Sequence, residues 1–107
     1  MKRQSLMATD VYNLLVQIPE GKVTTYGDIA RALGHPGASR RVGRILNKNP
    51  NPIVIPCHRV IMSDGNIGGY ALGKVRKKEL LKKEGVCFIG DRTADFAKSR
   101  IALKKLC

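Results

Sequence analysis

The 107-residue chain carries 20 lysines and arginines against 8 aspartates and glutamates, a formal net charge of +12, while 43% of its residues are hydrophobic. That apolar share excludes a disordered polycation, and the length suits one domain around a single core. No run approaches the ~18 apolar residues of a spanning helix, and MKRQSLMATD has no apolar signal-peptide core, so an intracellular protein with no membrane partner is expected.

The cation surplus points to a polyanion. Each neutralised phosphate releases condensed counterions, so nucleic acid is the first expectation and a membrane surface the alternative. Cys57, Cys87 and Cys107 stand far apart, without a C-x-x-C pair or a histidine at finger-like spacing. Free thiols are expected, with no metal and no organic cofactor. Cys87, in the apolar VCFI run, reads as core.

In chain order, Val11, Leu14, Leu15 and Ile18 recur at spacings of three and four, which predicts an amphipathic helix over 6–18 closed by Pro19-Glu20-Gly21. Thr25 with Asp28 three positions on resembles a capping box and opens a helix over 26–33 that Gly34 ends. HPGAS is a turn, after which Ala38 or Ser39 opens a helix through Asn47 or Lys48. Two short helices about a glycine-containing turn are the outline of a helix-turn-helix. On the second, Val42, Ile45 and Leu46 share a face while Arg40, Arg41, Arg44 and Lys48 occupy the rest. That basic face is either simply solvated or a DNA-docking surface, and the whole-chain charge favours docking.

NPNPIVIP, with Pro50, Pro52 and Pro56, predicts a stiff extended segment leading to Cys57. RVIM and the Ser63-Asp64-Gly65-Asn66 turn suggest a small hairpin, and GGYALG, 68–73, a loop whose glycines allow close backbone approach. A helix over 74–84 places Val75, Leu80 and Leu81 as its apolar residues, with six of the ten positions 74–83 basic and Gly85 as its stop. Its charge reads as a solvated, phosphate-attracting face. A weaker helix over 93–106 rests on Phe96, Ala97, Ile101 and Leu103. The expected fold is mainly α with a few short strands (α/β), a single winged helix-turn-helix-like domain.

Chemistry centres on VIPCHRVIM, residues 54–62. In extended chain adjacent side chains oppose one another, so Cys57 and His58 would need local bending or a bridging water to meet. The thiolate is the attacking form, and a thiol of pKa about 8.5 is only a few per cent ionised at neutral pH. A reactive Cys57 therefore needs a base or a positive field, with Glu84 as a candidate to orient His58. Core packing is the alternative.

NPNPIVIPCHRV, followed by a Gly-Gly-Tyr loop and a basic helix ending at Glu84-Gly85, resembles the DNA-binding, active-site domain of the alkylguanine-DNA alkyltransferases over about residues 8–86. The resemblance implies DNA repair in a single turnover. Such proteins bind duplex DNA, flip an alkylated guanine out of the stack, and move the alkyl group from its six-position oxygen to a cysteine. It implies Cys57 as acceptor, His58 as its base through a water, Glu84 orienting His58, and Asn49 bracing the turn after the recognition helix. Tyr26 resembles the tyrosine that helps rotate the nucleotide, and Arg40 the finger that fills the gap in the stack. The small residues Ala38, Ser39 and Gly43 suit a close approach in the minor groove, with Arg41 and Arg44 beside them. The carbonyls of Cys57 and Val60, Tyr70 and the amide of Ala71 resemble pocket groups around the base.

The implied partner is double-stranded DNA containing alkylated guanine, met by a monomer. Plainer roles exist for several of these residues: a helix-start aromatic for Tyr26, a turn residue for Asn49, a surface charge for Arg40, a loop anchor for Tyr70. Many members carry an additional N-terminal domain, which is expected to be missing here. Alkyltransferase-like proteins bind alkylguanine without repairing it and often have tryptophan at the acceptor position. Cys57, in a chain with no tryptophan, favours the enzyme.

Overall fold

The computed structural model of the chain describes residues 6–50, 54–70 and 72–101. Helix α1 (Ala8–Leu15) buries Val11, Leu14 and Leu15, the spacing read from the sequence. It stops short of residue 18, because the amides of Gln17 and Ile18 bond carbonyls three residues back, at 3.1 and 2.9 Å, tightening the chain ahead of Pro19. Ile18 is still buried.

Strand β1 (Thr24–Thr25) runs directly into α2 (Tyr26–Ala32). Thr25 Oγ1 accepts the Asp28 amide at 3.0 Å, the expected N-cap. Gly34, at φ +79°, takes the left-handed conformation that closes the helix. Helix α3 (Ser39–Asn47) packs on α2 and α1, burying Val42 and Leu46 while Arg40, Arg41 and Arg44 remain exposed.

The chain returns through a 3-10 turn (Cys57–Arg59) to β2 (Val60–Ile61), which pairs in parallel with β1, Thr24 opposite Val60 and Thr25 opposite Ile61. Parallel strands need a long crossover, and here the crossover includes the α2–α3 pair itself. Two residues of sheet thus join the start of the helix-turn-helix to the Cys57 segment. The expected RVIM hairpin is corrected accordingly. Its turn forms, with the Met62 amide on Asn66 O and the Gly65 amide on Met62 O, both at 2.9 Å, but Val60 and Ile61 pair with β1 instead. Val60 belongs to the core with α1–α3, whereas Ile61 packs with Val23, Ile67, Leu81 and Val86, so the strand is buried on both faces.

Helix α4 (Lys74–Lys83) buries Leu81 as expected, together with Lys77, and leaves Leu80 half-buried, while Val75, expected on the apolar face, is 74% exposed. Lys77 and Leu81 are four residues apart and share the inward side, and Val75 lies around the helix from them. A hairpin of β3 (Phe88–Ile89) and β4 (Arg92–Thr93) follows, then α5 (Phe96–Ser99). The long helix over 93–106 is therefore not found through residue 101, and 102–106 lie outside the described residues. The backbone there has other partners: Val23 N donates to Ser99 O at 2.8 Å, Ile101 N to Val23 O at 2.9 Å, and Arg100 grips both oxygens of Asp28. Cys87 is exposed rather than core, since its neighbour Val86 takes the inward position. No helix among the described residues is long and apolar enough to cross a membrane.

Candidate active site

Pro56, at φ −78° and ψ 64°, turns the chain out of the extended conformation just before Cys57. The Cys57 amide bonds Ile55 O at 2.7 Å and the Arg59 amide bonds Pro56 O at 3.0 Å. Cys57 and His58 therefore sit on a 3-10 turn, about 120° apart around its axis, and not on opposite faces of a strand as the prolines had suggested. Both are buried, Cys57 at 5% exposure and His58 at 0%. Asn49, just beyond α3, donates its Nδ2 to Ile55 O at 2.9 Å and to Cys57 Sγ at 3.3 Å. The same amide ties the end of α3 to the turn.

Glu84, at the C-terminus of α4, places Oε2 2.9 Å from His58 Nε2. Burial would raise its pKa, but the bonds from Arg59 and His58 outweigh that and hold it below the ordinary 4.5. An ionised carboxylate only accepts, so Nε2 is the donor and the lone pair of neutral His58 lies on Nδ1. Burial pushes His58 below its ordinary 6.5, against the pull of Glu84. Nδ1 is buried and bonds no protein group among the described residues. A neutral imidazole beside a thiol, with its lone pair unspent, is equipped to accept a proton.

Lys77 brings a buried ammonium to the same place, donating to Val60 O at 2.6 Å and Gly69 O at 2.9 Å. Burial lowers its pKa to about 8, and charge on Cys57 opposes that fall. The same charge acts on Tyr12, Tyr26 and Tyr70, adding to burial in raising each. All three tyrosines of the chain pack against the core cluster that contains Cys57. The Tyr70 ring meets His58 edge-on, centroids 6.3 Å apart. Gly68, at φ +71°, lets the loop pass Tyr26: a Cβ there would lie 3.7 Å from the tyrosine hydroxyl and 3.2 Å from Met62.

Ala38, just before α3, and Ser39 and Gly43 on it are partly buried, and a Cβ on Gly43 would touch the Tyr26 ring at 3.9 Å. Arg40, Arg41 and Arg44 pair with no acid among the described residues. The structure thus gathers Tyr26, Asn49, Cys57, His58, Val60, Tyr70 and Glu84 and sets the arginines on the outer face of α3. Ala71 lies outside the described residues. No group of three or more His, Cys, Asp or Glu among those residues could hold a metal ion.

Residues 7–86 match the family model described as 6-O-methylguanine DNA methyltransferase, DNA binding domain. The chain belongs to this family. It is 52% identical over 77 residues to a methylated-DNA–protein-cysteine methyltransferase of Methanosarcina acetivorans, covering 72% of this chain and 49% of that protein. The chain spans about half the length, or less, of the curated relatives it matches. It is similar to the crystal structure of Mycobacterium tuberculosis OGT in complex with DNA, at 40% identity and TM-score 0.73, covering 87% of this chain and 55% of that one. It is likewise similar to S. pombe ATL in complex with DNA, at 36% identity and TM-score 0.74, covering 88% of this chain and 93% of that one.

Three residues of this methyltransferase-family domain escaped the sequence reading. Arg59 stands inside the Pro-Cys-His-Arg run, where nothing local marks Glu84 as its partner. Lys77 was hidden among the cations of α4, although its spacing to Leu81 and Glu84, i, i+4 and i+7, is a signal that could have placed it inside. Tyr12, whose hydroxyl donates to Ile45 O at 2.9 Å across α1 and α3, carried no local signal at all.

Proposed function

We propose that the chain is a single-turnover DNA alkyltransferase that takes the alkyl group from the six-position oxygen of guanine in duplex DNA onto Cys57. The observation that carries this reading is a buried thiol with an amide donor 3.3 Å from its sulfur, next to a histidine whose Nε2 is held by a carboxylate. In this reading His58 Nδ1 draws the thiol proton through a water. The thiolate attacks the alkyl carbon, the S–C bond forms as the C–O bond breaks, and the electron pair of that bond leaves with guanine. The proton then passes to the base, so guanine departs neutral and His58 is neutral again. Atoms and electrons balance between thiol and substrate alone, and the thioether ends the protein's single turnover.

DNA recognition follows from the same domain. Ala38, Ser39 and Gly43 let α3 approach the minor groove, Arg41 and Arg44 meet phosphates, and Arg40 fills the gap left by the extruded nucleotide. Tyr26 contacts and rotates that nucleotide, with Tyr70, the Ala71 amide and the carbonyls of Cys57 and Val60 around the base. One lone pair of Val60 O is already taken by Lys77 and the other serves the base.

A second reading, a protein that binds alkylguanine and flags it without transfer, draws support from the 93% coverage of the S. pombe ATL chain. Incubation with a duplex containing 6-O-methylguanine separates the two. One methyl mass on the Cys57 peptide is expected, and tight binding with Cys57 unmodified would establish flagging instead.

A further inference from the structure

Arg59 makes three side-chain hydrogen bonds, two to the carboxylate that holds His58 and one to the backbone of Ile18. Its Nε donates to Glu84 Oε1 at 2.9 Å and its Nη2 to Glu84 Oε2 at 2.7 Å, a two-pronged grip on the carboxylate. Its Nη1 donates to Ile18 O at 2.6 Å, which anchors the guanidinium to the end of the α1 region. Oε2 is the oxygen that also bonds His58 Nε2. Both the Arg59 and Glu84 side chains are 13% exposed, so the three groups interact with little water between them.

We propose that Arg59 is a positioning residue for the His58 base: by engaging both oxygens of Glu84 it fixes the carboxylate's orientation and keeps its charge shared, so that His58 stays neutral with its lone pair on Nδ1. The inference rests on the reading of Cys57 as an alkyl acceptor. Without Arg59, Glu84 would be a largely buried anion whose one remaining side-chain partner among the described residues is the imidazole. Protonating His58 is then the direct way to compensate that charge. An imidazolium donates from both nitrogens and has nothing to accept the Cys57 proton.

Other groups facing His58 cannot take over. Lys77, from α4, also disfavours a charge on the imidazole, but its ammonium is bound to Val60 O and Gly69 O and bonds neither oxygen of Glu84. Tyr70, from the loop, presents a neutral ring edge. Cys57, the preceding residue, would as a thiolate favour the imidazolium and so cannot replace a cation on Glu84. The direct grip on Glu84 belongs to Arg59.

The test is the full chain carrying Arg59→Met or Arg59→Lys, read in two ways. Imidazole NMR, assigned with a His35→Gln variant, follows His58 against pH without DNA. Methyl transfer from a 6-O-methylguanine duplex gives the pH–rate profile. Arg59→Met is expected to raise the His58 titration and the acid limb of the rate together by about one pH unit, a loss that approaches about tenfold only on the acid side of both midpoints and largely recovers at pH 8.5. Arg59→Lys, with a charge but no fork, should shift both by less. An unmoved His58 titration in either folded variant, or a rate loss equal at every pH, overturns the proposal. If Arg59→Met does not fold, the Arg59→Lys titration decides alone. Absence of transfer by the wild-type chain would count against the alkyltransferase reading, whereas the DNA-free titration still judges Arg59.

Discussion

The Nζ of Lys77 lies 2.6 Å from the carbonyl oxygen of Val60, seventeen residues away, and both residues are fully buried. The bond fastens α4 to β2, and the second bond, to Gly69 O, pins the Gly-Gly-Tyr loop across them. Lys77→Met keeps the bulk but leaves two carbonyls without a donor, so a stability loss of about 1–3 kcal/mol is expected in urea unfolding. It also removes a cation near Cys57 and should slow methyl transfer about tenfold or more at pH 7. Because burial lowers Lys77 to about 8, the wild-type ammonium itself loses its proton above that pH. The gap between wild type and Lys77→Met should therefore narrow toward pH 9, and a constant ratio would show that the charge is irrelevant.

Asn49 separates a structural from an electrostatic role. Asn49→Ala removes the donor to Ile55 O and Cys57 Sγ and is expected to cost about 1–2 kcal/mol. Asn49→Asp, of nearly the same shape, turns a carboxylate toward both acceptors and repels a thiolate. Single-turnover rates should fall in the order wild type, Ala, Asp. Asp faster than Ala would remove the amide's part in stabilising the sulfur.

His58 gives stability a pH dependence of definite sign. Its folded-state pKa is lowered from 6.5, so below 6.5 the unfolded chain takes up a proton that the folded protein refuses, and stability falls with pH until the folded value is passed. Glu84, held below 4.5, adds a further loss as pH drops through its own folded value. In His58→Gln the first loss should vanish and the second remain. Unfolding free energies measured from pH 7.5 to 5.5 should then be nearly flat, and a wild-type slope in that variant would place the titration elsewhere.

The exposed cations fall into two classes by what their loss changes. Arg40→Ala should weaken repair of a duplex lesion far more than attack on free alkylated base, since only the duplex must be opened. Equal losses would deny Arg40 a place in the stack. Lys82→Ala, on the exposed side of α4, should leave transfer to the free base intact and reduce the slope of log affinity against log salt by about one or less.

The helices were legible because their signals are local. Val11, Leu14 and Leu15 repeat with the helical period, Thr25 and Asp28 stand at capping distance, and Gly34 and Gly85 mark ends that their positive φ values bear out. These signals act within a turn or two, so a single chain of letters carries them. The same holds for the Pro-Cys-His-Arg run, whose residue types announce chemistry wherever they fold.

What only the tertiary structure decided are the pairings between distant segments. Strands of two residues have no readable period, so nothing local announced that Val60 and Ile61 would join Thr24 and Thr25 rather than fold back as a hairpin. Pro56 gave no sign of whether it prolongs an extended segment or turns Cys57 and His58 into a 3-10 turn. The sequence by itself determined the helix-turn-helix and the presence of a thiol, a histidine and a carboxylate. Their tertiary assembly made a site of them, because a buried charge is tolerated only where acceptors arrive from elsewhere in the chain. Val60 and Gly69 do this for Lys77, and Glu84 with Ile18 for Arg59.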